Sequence, residues 1–265
     1  MTKLQAHRGV SYEYPENTIL AYQAAVDQGY GIIELDPKYT LDGKFVMLHD
    51  KSLKRTARDE NGIAPELNIA DITLQQARLY EYGSWKDEKF KGEKIPTLSE
   101  VLDFAEENPT VPLKFDNVWT KFPDNIRKAF LEEIAERNGS VNVGITCNSL
   151  ESLQEAANAI PWATLHYDGI DVFESFLKIV KNTFENREIV FWVCYDLPRL
   201  AWYKGEKASV ELCDRVRKYG KLGIWIISTH EELENAVVNF KADYIETNGR
   251  IKPSWLEELT QQKEE

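Results

Sequence analysis

Cysteine, methionine and histidine are scarce in this 265-residue chain, which holds three, two and four of them. Cys147, Cys194 and Cys213 are an odd count without metal-ligand spacing, which excludes a disulfide framework and makes buried free thiols their expected state. No apolar run approaches the roughly 20 residues that cross a bilayer, so stable membrane insertion is excluded. Basic residues are the minority, 32 against 44 acidic ones, and the net charge of −12 argues against nucleic acid or an anionic membrane as partner. The first strand-like run opens almost at the N-terminus, leaving no room for a signal peptide, and the expected location is cytoplasmic. With 43% hydrophobic residues the chain suits a single domain over 1–265 and leaves no length for a second large one.

What is present is concentrated in three short patches, each where an apolar strand-like run stops: His7-Arg8-Gly9, Glu34-Leu35-Asp36 and His49-Asp50. Strand ends are where α/β enzymes assemble their chemistry. Side chains alternate across a strand, so Glu34 and Asp36 share one face while Ile33 and Leu35 take the other. Two carboxylates so placed repel unless a cation lies between them, and hard oxygen donors suit one Mg²⁺ or Ca²⁺. A solvated edge strand is the alternative. Asp42-Gly43 between apolar runs signals a two-residue hairpin within 39–49, which would fold His49 back toward the carboxylates and opposite His7. Two opposed imidazoles can serve as general acid and general base, and the planar fork of Arg8 matches phosphate oxygens.

Strand-like runs occur at 3–7, 31–36, 111–116, 142–147, 163–167, 189–195, 222–227 and 243–247, the count of a closed (β/α)8 TIM barrel. Between them lie amphipathic stretches with cap signals, Thr97 with Glu100, Asn148 with Glu151 and Thr229 with Glu232. The segment Lys51–Lys94 reads as a small cap-like insertion after the second strand, polar and turn-rich, with one helical stretch near 72–82. It is a candidate for substrate selection, or else merely structural. Tyr195–Gly205, after the sixth strand, is a second candidate lid.

Five stretches in order, Ala6-His7-Arg8-Gly9, Pro15-Glu16-Asn17-Thr18, Glu34-Leu35-Asp36, Asp42-Gly43 leading to His49-Asp50, and Ile95 to Leu102, resemble the glycerophosphodiester phosphodiesterases. Gly223-Ile224-Trp225 and Ala242 to Thr247 are a weaker echo of that family's closing strands. The resemblance implies a TIM barrel that hydrolyses glycerophosphodiesters to an alcohol and sn-glycerol 3-phosphate, with His7 and His49 as the acid/base pair, Glu34 and Asp36 as metal ligands and Arg8 on the phosphate. Trp225 matches a tryptophan of the seventh strand that walls the pocket. His166, near a strand end, is a further pocket candidate unless it points outward.

One stretch departs from the family pattern. Where the family has Glu, any residue, then Lys, this chain reads Lys114-Phe115-Asp116. One alignment exchanges the two charges; the other keeps Asp116 as the third, acidic ligand and loses the later lysine to Val118. The preferred assignment is Asp116 as metal ligand and Lys114 as phosphate contact. The departure leaves two alternatives open: a larger lysophospholipid, sugar or teichoic acid phosphodiester as substrate, or a barrel that only binds phosphorylated ligands.

Overall fold

The computed structural model describes residues 2–195 and 203–261. Eight parallel strands close a barrel in the order β1 (Lys3–His7), β10 (Tyr244–Thr247), β9 (Lys221–Ile227), β8 (Ile189–Cys194), β7 (Thr164–Tyr167), β6 (Val143–Cys147), β5 (Leu113–Phe115) and β2 (Ile32–Leu35). Every strand lies within two residues of the run that announced it. The outward positions, among them Ile33, Leu35, Leu113, Phe115, Ile145 and Leu165, belong to one apolar core shared with the surrounding helices. That burial is the main force closing the barrel.

The inner face is polar. In register, His7 pairs with Glu34 and Glu34 with Lys114, and directly paired residues of parallel strands face the same side. Below the mouth, Gln5 Nε2 donates to Glu246, Lys114 Nζ lies 3.6 Å from Glu246 Oε2 and 4.1 Å over the Trp192 ring, and Trp192 Nε1 donates to His166 Nδ1 at 3.0 Å. Two glycines make room for these rings: a Cβ at Gly144 would come within 2.4 Å of His166, and one at Gly223 within 2.5 Å of Trp192.

The loop after β2 carries a small antiparallel sheet, β3 (Pro37–Tyr39) with β4 (Phe45–Met47). Its turn differs from the expected two-residue type. Thr40 N donates to Lys44 O at 2.9 Å and Gly43 takes φ +70°, which encloses Leu41-Asp42-Gly43 as a three-residue loop with its last residue left-handed. Beyond β4 the insertion builds its own apolar cluster from Leu53, Ala57, Ile69, Ile72, Ala77 and Tyr82 against Val46, Leu48 and Ile95. The helix expected over 72–82 shrinks to α2 (Leu74–Ala77), because Glu81 leaves the helical path to exchange backbone hydrogen bonds with Arg58.

The other helices are α1 (Ile19–Asp27), α3 (Leu98–Glu107), α4 (Asp124–Ala135), α5 (Leu150–Ala159), α6 (Glu174–Thr183), α7 (Val210–Arg217), α8 (His230–Val238) and α9 (Pro253–Gln261). Thr97 with Glu100 and Thr229 with Glu232 form the expected capping boxes, but Ser149 with Ser152, not Asn148 with Glu151, caps α5. All three cysteines are buried and free of disulfides. Among the described residues no helix is long and apolar enough to cross a membrane.

Candidate active site

The C-terminal ends of β1 and β2 form one side of the barrel mouth. Immediately after His7 the chain turns through two left-handed residues, Arg8 (φ +58°) and Gly9 (φ +77°), and a Cβ at Gly9 would collide with Ala21. This reversal aims the Arg8 amide back at Glu34 Oε2, 3.0 Å away. His7 Nδ1 is 2.5 Å from Asn248 Oδ1, so an N–H there donates to the amide oxygen and Nε2 is left toward Glu34 Oε2 at 3.9 Å. Burial lowers the His7 pKa, with Glu246 and Asp36 acting in the other direction.

Asp36 is the hub of the mouth. The Arg8 guanidinium reaches its Oδ2 at 3.1 Å, Asn17 Nδ2 donates to the same oxygen at 2.8 Å, and Asn17 Oδ1 accepts from the Asp36 amide at 3.2 Å. Burial pushes the Asp36 carboxyl up, but Arg8, His49 and other cations outweigh it and hold the pKa below the ordinary value. Glu34 is driven well above its ordinary range by burial and by the charges of Asp36 and Glu246, and Asp116 is raised by burial and by Asp36. Carboxylates that raise one another in this way favour a cation among them. Among the described residues the hydrogen bonds and ion pairs on each fall on a single oxygen, Oε2 of Glu34, Oδ2 of Asp36 and Oδ1 of Asp116, leaving hard oxygens for a metal. The donor chemistry therefore fits a hard divalent ion, although among the described residues no three such groups are already drawn into a coordination shell.

His49 approaches from the other side. Leu48 N donates to Asp36 O at 2.9 Å, so the hairpin carries His49 back to the carboxylates as the sequence implied. Its Nδ1 is 2.6 Å from Asp50 Oδ1; Asp50 Oδ2 accepts from Arg55 Nε at 2.6 Å; and Arg55 forms two bonds of 2.7 Å with Glu16, which also accepts from Arg8 at 3.1 Å. Alternating charges thus run from Asp36 through Arg8, Glu16 and Arg55 to Asp50, which holds the His49 ring. Burial works upward on Asp50, but the bonds from Arg55 and His49 prevail and bring its pKa down to about 2.

Two of the candidate residues, Lys114 and His166, have partners inside the barrel. Lys114, in register with Glu34 on the inner face, is 3% exposed, and its ammonium is 3.6 Å from Glu246 Oε2 and lies over the Trp192 ring. His166 does point inward, but it packs between Trp192 and Tyr244 as lumen filling, and burial together with the charge of Lys114 holds it neutral. Trp225 is at the rim, where its Nε1 donates to Asp168 Oδ1 at 3.2 Å and its ring meets Tyr203 edge-on. Most of the candidate lid, 196–202, lies outside the described residues.

Sequence reasoning gave no role to Glu16, Asn17, Lys38, Arg55, Asp168 or Asn248. Glu16 and Asn17 were visible inside a motif. Asp168 and Asn248 carry no local signal, because their partners Trp225 and His7 lie on distant segments.

An anionic ester brought to this mouth would meet two imidazoles, a guanidinium and hard oxygen donors, the equipment of a phosphoric diester hydrolase built on a TIM barrel. The model of the glycerophosphoryl diester phosphodiesterase family matches residues 7–169, more than half of the chain, and the chain belongs to that family. A glycerophosphodiester phosphodiesterase of Caldanaerobacter subterraneus is 33% identical over 161 residues, 60% of this chain and 63% of that protein, so under two thirds of the relative is spanned. Glycerophosphodiester phosphodiesterase 1 of Bos taurus is 29% identical over 91% of this chain and 76% of its own length. Among solved structures, a phosphodiesterase of Oleispira antarctica in complex with the product sn-glycerol-3-phosphate superposes with a TM-score of 0.74 at 18% identity, covering 98% of this chain and 97% of that one. A glycerophosphodiester phosphodiesterase of Agrobacterium tumefaciens gives 0.67 at 21% identity over 94% and 96%. At these identities the structural likeness establishes the fold.

Proposed function

We propose that the protein hydrolyses a glycerophosphodiester to an alcohol and sn-glycerol 3-phosphate with the help of one divalent cation, Mg²⁺ or Ca²⁺. The observation that carries this reading is the position of Asp36, which lies in the field of His7, His49 and Arg8 at once. Proton carriers and a phosphate-matching fork therefore surround a single carboxylate. Glu34, Asp36 and Asp116 would hold the cation, whose positive charge would offset the charge that develops on the phosphoryl oxygens.

The chain's own residues do the rest. Arg8, fixed by Glu16 and Asp36, would orient the phosphate. Asn248 and Asp50 each accept at the Nδ1 of one histidine, so Nε2 of both is the nitrogen available for proton transfer. One imidazole takes the proton of the nucleophile and the other delivers one to the departing alkoxide. The insertion contributes Arg55 to this wall and Trp225 walls the opposite rim, so both would bear on which alcohol is accepted. The product bound by the Oleispira antarctica neighbour supports glycerol 3-phosphate as the released phosphate.

The test is release of glycerol 3-phosphate from glycerophosphocholine and glycerophosphoethanolamine by chelator-stripped protein to which Mg²⁺ or Ca²⁺ is returned, alongside calorimetric titration of each metal. Turnover restored by one cation is the expected result. Absence of turnover with every cation, while phosphate ligands still raise the melting temperature, would favour a non-catalytic phosphate binder.

A further inference from the structure

A phosphodiester entering an acidic mouth needs cations that are not already neutralised, and Lys114 is spoken for by Glu246 and Trp192. Lys38 differs. It lies on β3, two residues beyond Asp36, and is 8% exposed. Among the described residues its one hydrogen bond is a long contact of 3.5 Å with the carbonyl of Pro37. Among the described residues it forms no salt bridge, although it lies in the field of Asp36, Asp116, Arg8 and Asp50. The alternation of β3 explains its direction: Tyr39 packs edge-on against Phe122, so Lys38 takes the opposite face. A nearly buried ammonium is costly unless a counter-charge arrives, and beside Arg8 an incoming phosphate would supply it.

We propose that Lys38, rather than Lys114, is the lysine that binds the substrate phosphate, a role it shares with Arg8. The proposal rests on the phosphodiester reading above and adds to it a specific anion contact. The hairpin after β2 thereby adds to the mouth a second cation beside Arg8, one outside the Lys114–Glu246 pair.

The experiment is calorimetric titration of wild type, Lys38→Met, Lys38→Arg and Lys114→Met with sn-glycerol 3-phosphate and with inorganic phosphate, each protein first verified as folded by its melting curve. Loss of a charge-assisted contact predicts about tenfold or greater weakening in Lys38→Met, partial recovery in Lys38→Arg, and affinity near wild type in Lys114→Met. Steady-state assays should show the Lys38→Met defect chiefly in KM. Undiminished phosphate affinity in folded Lys38→Met, or a loss confined to Lys114→Met, overturns the assignment without touching the hydrolytic reading. Phosphate binding that depends on Lys38, in a protein that hydrolyses no phosphodiester, would uphold the contact and overturn the hydrolysis instead.

Discussion

His7 and His49 meet Asp36 from walls built by different physics. His7 ends a strand paired on both sides within the barrel, its side chain is 14% exposed, and a neutral amide, Asn248, fixes its ring. His49 follows a two-stranded hairpin, is 43% exposed, and is fixed by charge, through Asp50, Arg55 and Glu16. Sheet register and burial hold the first. The second depends on ion pairs that reach into the insertion, and such pairs are weakened by salt. The insertion is thereby tied to His49, through Arg55 and Asp50.

The largest expected effect tests whether the two walls are equals. His7→Ala and His49→Ala should each lower kcat by about 10²- to 10⁴-fold with an unchanged melting temperature, read by steady-state kinetics and circular dichroism. Near-wild-type turnover in either variant would reduce the pair to a single working imidazole. Next comes the barrel side alone. Glu246→Leu leaves the Lys114 ammonium buried without its counter-charge and should cost about 3–5 kcal/mol in denaturant unfolding, most of it recovered when Lys114→Met is added. Equal instability of the single and double variants would mean that the lumen tolerates a lone charge.

A third effect follows from Asp168. Burial, with Asp116 and Glu246 assisting against Lys114, raises its carboxyl pKa to about 7. A carboxyl raised above its unfolded value of about 3.9 favours the protonated fold, so its contribution is complete below that pH and is lost as pH climbs through the folded value. Melting temperatures of metal-free protein should consequently fall between pH 5 and pH 8, and less so in Asp168→Asn. An Asn variant with the same slope would remove Asp168 from the account.

The smallest effect on stability isolates the charged wall. Arg55→Ala should change unfolding free energy by less than about 1 kcal/mol, because Arg55 is itself 39% exposed and Glu16 keeps its pair with Arg8, yet reduce kcat roughly tenfold by releasing Asp50 and His49. High salt should depress wild-type kcat in the same direction and leave Arg55→Ala less affected. A salt-insensitive wild type would show that the hairpin alone fixes His49.

Much of this was legible beforehand, for identifiable reasons. Runs such as Ile33, Leu35 and Leu113, Phe115 alternate with polar residues, and that period marks a strand whichever neighbours it later acquires. Thr97 and Glu100 cap α3 through bonds spanning three residues, which sequence spacing reports directly. The insertion helix was overestimated because Ile72 to Tyr82 has helical periodicity, while the bridge between Arg58 and Glu81 beyond α2 joins distant segments. The partner of Lys114 was hidden for the same reason. Its strand face could be inferred, but Glu246 reaches it from the far end of the chain.

By itself the sequence determined the eight strands, the family, and the residue types gathered at the mouth, because these follow from local periodicity and from patches only a few residues long. Tertiary structure alone decided which charges are already satisfied. Closing the barrel brought Glu246 to Lys114, folding the insertion brought Arg55 to Glu16 and Asp50, and among the described residues Lys38 lies near Asp36 and Asp116 without a salt bridge to either. Electrostatic pairing depends on distance in space and on burial, and neither quantity is written in residue spacing.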